Sequence, residues 1–327
     1  MGFAVMFPGQ GSQSVGMLGA LAEAEPLVGE TFAEAERVLG RDLWTLSRSG
    51  PPAALGDTRV TQPLMFVADI AVWRVLEAHG LPRPSAFAGH SLGEFAALVA
   101  ADALDFEAGL RLVERRAALM AASVPEGEGG MAALIGLCDE DVVALCAEVG
   151  AGLGEGQVVE AVNFNAPGQV AVSGHVTALE ALLAVARERG ARKALMLPVS
   201  VPNHSSLMRA AGTALAEEID ALGVDGDGAG SGWRMPLAPV VQNAAAAAPD
   251  TLEALLASLR AHVYSPVRWT DSVARLRDVH NATTVLEVGP GRVLTGLVKR
   301  IDRSLPALPV ESPDTLDAAL DAVGAAR

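Results

Sequence analysis

Cysteine, aromatic side chains and long apolar runs are scarce in this 327-residue sequence, which contains two cysteines and one tyrosine. Two cysteines cannot build a disulfide framework, so we expect a reducing compartment, the cytoplasm, and expect Cys138 and Cys146 to be small core residues. No apolar run reaches 18 residues, which argues against a transmembrane helix. The first residues have no basic stretch followed by an apolar run, so we expect no signal peptide.

Positive charge is scarce as well, because 24 lysines and arginines stand against 39 acidic residues, giving a formal net charge of −15. This balance argues against nucleic acid or an anionic membrane as a partner. The histidines, cysteines and acids do not have the spacing of metal ligands, so we expect no metal site. Half of the residues are hydrophobic, which indicates a compact globular protein with a large core.

The most informative stretch runs through Ala86-Phe87-Ala88-Gly89-His90-Ser91-Leu92-Gly93-Glu94. An apolar strand pattern precedes this G-x-S-x-G sequence and a helical pattern follows it, the order of a nucleophile elbow. Glycines at 89 and 93 suit a turn too tight for side chains. The following helix presents free N–H groups to an oxyanion. We therefore predict that Ser91 is a nucleophile, the alternative being an ordinary strand–helix turn.

A second strand–turn unit opens the chain, where a buried strand pattern at 3–7 leads into Gly9-Gln10-Gly11. Two interpretations are open. The glycines suggest a dinucleotide loop, but Ser14 stands where that motif needs its third glycine. Alternatively, an N–H group near Gln10 faces the elbow and supplies half of an oxyanion hole.

The helix predicted from Phe106 to Met120 carries three arginines. The 3.6-residue spacing puts Arg116 on the apolar face and Arg111 and Arg115 nearer the outer side. An arginine on an apolar face either pairs with an acid or aims its planar guanidinium at a substrate carboxylate. The spacing alone leaves both interpretations open.

Residues 128–200 have their own pattern of alternating elements, with the order βαββαβ of a ferredoxin-like fold. We predict a small domain over 128–200 inserted into a large α/β domain made of 1–127 and 201–327. In the large domain, alternating strands and helices predict a parallel, hydrolase-like sheet. The Gly- and Asp-rich stretch 223–232 is predicted to be a surface loop.

The segment Val201-Pro202-Asn203-His204 precedes a helical pattern. Asn203 is a good N-cap, which would put His204 in the first helical turn, where the helix dipole disfavours a charged imidazole. A neutral imidazole suits a general base. A capping-region histidine without a catalytic role is the alternative, and His90, beside the nucleophile, is predicted to point elsewhere.

Five motifs follow one another along the chain, namely Phe7-Pro8-Gly9-Gln10-Gly11-Ser12-Gln13, Thr61-Gln62-Pro63, Gly89-His90-Ser91-Leu92-Gly93-Glu94, Val201-Pro202-Asn203-His204 and Glu287-Val288-Gly289-Pro290-Gly291. With these motifs the sequence closely resembles the bacterial malonyl-CoA:acyl carrier protein transacylases, from about residue 3 to past 300. The resemblance implies a hydrolase-like core with a ferredoxin-like insertion and an active site between them. The sequence departs from the family pattern at His262, where glutamine is expected, and at Asn203, where serine is expected.

The resemblance also implies roles for individual residues. Ser91 would be the nucleophile and His204 its base, Arg116 would hold the malonyl carboxylate, and the N–H groups of Gln10 and Leu92 would bind the oxyanion. Gln62, Asn163 and His262 complete the expected substrate-binding set. Backbone carbonyls near Tyr264, rather than an acid, would orient the histidine, and that segment contains His262.

The expected reaction moves a malonyl group from malonyl-CoA through a malonyl-serine ester to the phosphopantetheine thiol of acyl carrier protein, with no bound cofactor. We expect a monomer. The basic pairs Arg192-Lys193 and Lys299-Arg300 are candidates for docking an acidic carrier protein, or are simply solvated. Three alternatives remain open: a loader of polyketide carrier proteins, a serine esterase or thioesterase, and a non-enzymatic docking partner.

Overall fold

A computed structural model describes residues 2–154, 156–225, 230 and 232–325. The strands of these residues are β1 (Gly2–Phe7), β2 (Ala86–Gly89), β3 (Gly129–Ile135), β4 (Val159–Ala166), β5 (Gln169–His175), β6 (Lys193–Met196), β7 (Val240–Val241), β8 (Ala282–Val288) and β9 (Ala307–Val310). The helices are α1 (Gly19–Ala24), α2 (Pro26–Leu39), α3 (Leu43–Ser49), α4 (Thr58–Ala78), α5 (Gly93–Ala100), α6 (Phe106–Ala121), α7 (Asp139–Gly152), α8 (Val176–Glu188), α9 (Arg209–Ala221), α10 (Leu252–Ala261), α11 (Trp269–Asp278), α12 (Val293–Ile301) and α13 (Pro313–Val323).

The larger sheet is parallel, with the strand order β7-β2-β1-β8-β9. Its central strand β1 is buried over residues 3–7, as its continuous apolar pattern predicts for a strand covered on both faces. Phe7 is paired with Gly89, so β1 and β2 end side by side. The loops that follow these two strands therefore meet at one edge of the sheet, where ligands bind in open α/β sheets.

The smaller sheet is antiparallel, with the order β4-β5-β3-β6. Together with α7 and α8 it gives the predicted βαββαβ order, and the fold class is confirmed. Its core lies between the sheet and the two helices and includes Val142, Leu145, Val170 and Leu182. The domain boundaries proposed at 127/128 and 200/201 stay a prediction.

The edge strand β4 of the smaller sheet is joined by main-chain hydrogen bonds to the segment that precedes α11. Phe164 N donates to Val267 O over 2.9 Å, and Val267 N donates to Val162 O over 2.8 Å. Thr270 Oγ1 also donates to Phe164 O. These bonds fix the end of β4 against the start of α11. Residues of both sheets can therefore face one cavity with a defined geometry.

Helix α4 begins at Thr58, so Pro63 lies inside the helix and not in its first turn. The Asp57 side chain caps the helix by accepting a hydrogen bond from Arg59 N over 2.9 Å. A proline at position 63 cannot donate to Arg59 O, but Arg41 Nη1 donates to that carbonyl over 3.4 Å. The lost main-chain bond is thus partly replaced.

The structure bears on two other local predictions. Cys146 is buried as predicted, but Cys138 is exposed at the start of α7. In the predicted loop 223–232, residues 226–229 and 231 lie outside the described residues.

Candidate active site

The turn between β2 and α5 holds Ser91 in a left-handed conformation, with φ of 51°. Side chains other than glycine rarely adopt this conformation, and such strain concentrates at functional sites. A Cβ atom at Gly89 would overlap the main chain of Gly93, and one at Gly93 would overlap Phe7 O. Both glycines are therefore required for the close packing of the turn, which is the geometry that the G-x-S-x-G pattern predicts.

Ser91 and His204 form a hydrogen-bonded pair, with 2.7 Å between Ser91 Oγ and His204 Nε2. His204 Nδ1 lies 3.1 Å from His262 O and 3.0 Å from Ser265 O. Carbonyl oxygens only accept hydrogen bonds, so these contacts assign the proton of the neutral ring to Nδ1. The lone pair of Nε2 is then directed at the serine hydroxyl, as a general base requires.

The prediction that His204 lies in a helical first turn was wrong. His204 has φ of 66°, and α9 begins only at Arg209, after a 3₁₀ turn from Ser206 to Met208. Its main chain is held by a hydrogen bond from His204 N to Val263 O over 3.0 Å. A distant segment, and not a helix start, therefore fixes the histidine.

The His204 imidazole is 3% exposed, and burial lowers its pKa to about 3, with smaller contributions from Arg116 and His90. Burial disfavours the charged form, and nearby positive charge disfavours it further. His204 is therefore neutral at physiological pH. The neutral form agrees with the sequence-based expectation, although the physical cause is burial rather than a helix dipole.

Arg116 is 1% exposed and approaches the serine from α6. Its Nη2 donates to Ser91 Oγ over 3.3 Å, its Nη1 makes a short bond to Gln62 Oε1, and its Nε has no partner in the described residues. Burial lowers its pKa to about 9. Within the part of the chain that the structure describes, no ion pair neutralises this guanidinium.

The other two arginines of α6 lie outside the site. Arg111 pairs with Glu107 at 2.7 Å and Arg115 pairs with Glu218 at 2.8 Å, and both arginine side chains are more than half exposed. The helical spacing therefore separated the inner arginine from the outer two correctly. A buried, unpaired guanidinium is costly, so its position is suited to an anionic group brought by a ligand.

Two main-chain N–H groups near the serine are available to a ligand. Neither Gln10 N nor Leu92 N donates a hydrogen bond to the described part of the protein. Leu92 directly precedes α5, and Gln10 follows β1 in the neighbouring loop, where its side chain is held by Thr58 at 3.3 Å. This pair has the origin expected of an oxyanion hole, one donor beside the nucleophile and one from another strand–helix loop.

These groups line one cavity of about 180 Å³ between the two sheets. Its walls include the residues Gln10, Gln62, His90, Ser91, Leu92, Arg116, Asn163, Asn165, Asn203 and His204. Asn163 Oδ1 and Asn203 Oδ1 are buried and have no partner in the described residues, so both can accept hydrogen bonds from a ligand. Met131, Leu197 and Val199 add an apolar wall from the small-sheet side.

Of the predicted catalytic and substrate-binding residues, His262 alone is absent from the cavity lining. Its ring is 2% exposed and lies behind the serine, with Nε2 3.1 Å from Ser91 O. His90, which was predicted to point elsewhere, does line the cavity and bonds Asn165 Oδ1 over 2.7 Å. Glu94, the single acid of the otherwise apolar helix α5, was not among the predicted site residues.

The four basic residues considered for docking lie in two places. Lys299 and Arg300 line an open groove of about 580 Å³ that shares Gln169, Val293 and Leu297 with the serine cavity. Arg192 and Lys193 are exposed at the start of β6 and line neither the serine cavity nor this groove. The structure thus brings only the second pair to the mouth of the site.

The described residues contain neither a membrane-spanning helix nor a metal-binding cluster. No helix there is both long and apolar enough to cross a membrane. No group of three or more histidines, cysteines or acids in those residues is arranged to hold a metal ion.

A parallel sheet with a serine elbow, a histidine hydrogen-bonded to the serine and a buried arginine without an ion-pair partner in the described residues is an arrangement suited to acyl transfer. The sequence profile of the acyl transferase domain family matches residues 5–312, and the chain therefore belongs to that family.

The relatives found by comparison have more specific names. The chain is 45% identical to a malonyl CoA-acyl carrier protein transacylase of Escherichia coli O157:H7, over 98% of this chain and 99% of the relative. It is 37% identical to the protein of that name from Bacillus subtilis strain 168, over 97% of this chain and 96% of the relative.

Solved structures agree with this grouping. A malonyl-transacylase in complex with a type II PKS acyl-carrier protein has a TM-score of 0.92 and 44% identity, covering 98% of this chain and 100% of that chain. The malonyl CoA-acyl carrier protein transacylase of Coxiella burnetii has a TM-score of 0.91 and 38% identity, covering 99% of this chain and 98% of that chain.

Proposed function

We propose that this protein transfers the malonyl group of malonyl-CoA to the phosphopantetheine thiol of acyl carrier protein, for fatty acid synthesis, through a malonyl-serine ester. The observation that carries the proposal is the convergence of Ser91, His204 and the unpaired Arg116 in one cavity. The names of the relatives support the same substrate pair. Coenzyme A enters as the substrate thioester, and no bound cofactor is needed.

In the first half-reaction, His204 Nε2 accepts the Ser91 proton as Oγ attacks the thioester carbonyl. The N–H groups of Gln10 and Leu92 bind the oxyanion of the tetrahedral intermediate. When the intermediate collapses, the C–S bond breaks, the imidazolium returns its proton to the sulfur, and coenzyme A leaves. A malonyl-serine ester remains.

In the second half-reaction, the thiol of the carrier protein takes the place of coenzyme A. His204 accepts the thiol proton, the sulfur attacks the ester carbonyl, and collapse returns the proton to Ser91 Oγ. Arg116 holds the malonyl carboxylate throughout as a charge-assisted pair, with Gln62 fixing the guanidinium. The scheme is ping-pong, because the first product leaves before the second substrate reacts.

The carrier protein is proposed to dock at the groove lined by Lys299 and Arg300, since these exposed cations adjoin the cavity. A local positive patch on an acidic chain attracts an acidic partner by Coulomb forces that salt screens. We also propose a monomer, which sedimentation of the purified protein would test.

Intact-mass measurement tests the central proposal. Malonyl-CoA alone should add one malonyl group to the wild type and none to Ser91→Ala, and carrier protein should then remove it. A polyketide carrier protein should be tried beside a fatty-acid one, because one solved relative was captured with a type II PKS carrier. Discharge of the ester by water faster than by the carrier thiol would instead identify an esterase or thioesterase.

A further inference from the structure

The peptide groups on both sides of Ser91 are held by side chains from distant parts of the chain. Ser91 N donates to Asn243 Oδ1 over 2.7 Å, and His262 Nε2 lies 3.1 Å from Ser91 O. These bonds brace a residue whose left-handed φ is otherwise unfavourable. Neither Asn243 nor the His262 side chain lines the cavity where a substrate would bind.

Glu94 fixes the orientation of the Asn243 side chain. Asn243 N donates to Glu94 Oε2 over 2.7 Å, and Asn243 Nδ2 makes a short bond to the same carboxylate and a 2.7 Å bond to Gly89 O. Because both partners of Nδ2 are acceptors, the amide oxygen must face the Ser91 N–H. Glu94 is 1% exposed, so water does not compete for these bonds.

His262 connects the nucleophile to the base. Its carbonyl oxygen accepts from His204 Nδ1, and its imidazole Nε2 donates to the Ser91 carbonyl. His262 Nδ1 is buried without a partner in the described residues, so the ring is neutral and carries its proton on Nε2. Burial, with Arg116 and His204 nearby, also lowers the pKa of His262 well below its usual value.

We propose that Glu94, Asn243 and the His262 side chain are positioning residues that set the distance between Ser91 Oγ and His204 Nε2. Asn243, held by Glu94, fixes the peptide before Ser91. His262 fixes the peptide after it, and its own carbonyl, in the 3₁₀ turn from His262 to Tyr264, orients the base. Loss of either bond lets the serine leave the productive geometry without changing the cavity walls. This inference rests on the proposed role of Ser91 as nucleophile.

The test measures the rate at which a small alkyl fluorophosphonate labels Ser91, which needs the serine and its base but no acyl-CoA contact. Full-length His262→Ala is expected to label about 10–100-fold more slowly than wild type, because small displacements of reacting groups cost rates of this order. His262→Gln keeps an N–H donor and should label within about threefold of wild type. His79→Ala, at an exposed ion-paired histidine, is the matched control and should label normally.

Non-additivity separates positioning from general destabilisation. If His262 acts through the Ser91–His204 geometry, then His262→Ala should cause less than about twofold further loss in a His204→Ala background. The KM for malonyl-CoA should also stay within about twofold of wild type. If His262→Ala does not fold, as judged by its melting curve, Asn243→Ala is measured by the same criteria.

Normal labelling of His262→Ala, or effects of His262→Ala and His204→Ala that multiply, would overturn the inference. Failure of the wild type to be labelled at Ser91 is a different result, because it would remove the proposed nucleophile itself.

Discussion

Replacing Arg116 with alanine is expected to abolish the preference for malonyl over acetyl groups. Malonyl differs from acetyl by a carboxylate, and Arg116 is the buried cation that lies 3.3 Å from the serine hydroxyl. Without an anion its guanidinium has only Gln62 and Ser91 as polar partners in the described residues. A neutral acyl group leaves the buried charge without an anion in contact with it, while a malonyl group pairs with it.

The size of the effect follows from the burial. Removing one partner of a buried ion pair costs about 3–5 kcal/mol, because the other charge is left unpaired. At about 1.36 kcal/mol for each factor of ten, kcat/KM for malonyl-CoA should fall roughly 10²- to 10⁴-fold in Arg116→Ala. For acetyl-CoA, kcat/KM should stay level or rise, because the variant no longer has a buried guanidinium that lacks an anionic partner when a neutral acyl group is bound. Arg116→Lys should recover little, because an ammonium cannot reproduce the planar fork.

The assay is kcat/KM for malonyl-CoA and acetyl-CoA with one carrier protein, for wild type, Arg116→Ala and Arg116→Lys. Arg111→Ala is the matched control, since Arg111 lies on the same helix but is exposed and paired with Glu107. An exposed pair contributes about 0–1 kcal/mol, so this variant should keep the wild-type ratio. An unchanged malonyl-to-acetyl ratio in Arg116→Ala would show that Arg116 is a structural arginine.

Four further outcomes are expected. Acylation should be lost in Ser91→Ala and fall roughly 10²–10⁴-fold in His204→Ala, measured by intact mass and rapid quench; a near-normal rate in the latter would assign the base elsewhere. The pKa of His204 near 3 predicts that protonation of this residue does not reduce acylation between pH 8 and 5. In Arg116→Ala the acidic limb of the pH–rate profile should move to higher pH, because a positive charge that depresses the pKa of His204 is removed. Gly93→Ala should abolish acylation through its clash with Phe7 O, whereas Gly29→Ala, where a Cβ meets open space in α2, should raise the free energy of unfolding by about 0.5–1 kcal/mol. Charge reversal at Lys299 and Arg300 should raise KM for the carrier protein and leave acylation by malonyl-CoA intact; a parallel fall of both half-reactions would indicate damage to the site.

Local patterns were sufficient to predict the elements that depend on neighbours in sequence. The strand–turn–helix around Ser91 is encoded by apolar runs and two glycines, and the inward direction of Arg116 follows from helical periodicity. The βαββαβ order of the small sheet was predictable for the same reason. In each case the relevant contacts span a few turns or one strand.

The parts that could not be predicted depend on contacts between distant segments. Asn203 has the chemistry of an N-cap, but the bond from His204 N to Val263 O holds the main chain in a left-handed conformation instead. Asn243 follows a two-residue strand and has no local signal of its link to Glu94, which is 149 positions away. A lone buried acid in an apolar helix indicates that a partner exists without showing where it is.

The use of carbonyl oxygens to orient His204 follows from the presence of Arg116. A carboxylate beside His204 Nδ1 would put a second anion near the guanidinium and compete with the malonyl carboxylate for it. The carbonyls of His262 and Ser265 orient the ring at 3.1 and 3.0 Å without adding a net charge. Glu94 is kept apart by bonds from Gln242 and Asn243, and burial raises its pKa to about 7, which weakens its hold on Arg116. Arg116, which forms no ion pair in the described residues, therefore remains available to the substrate anion, while the neutral histidine remains a base.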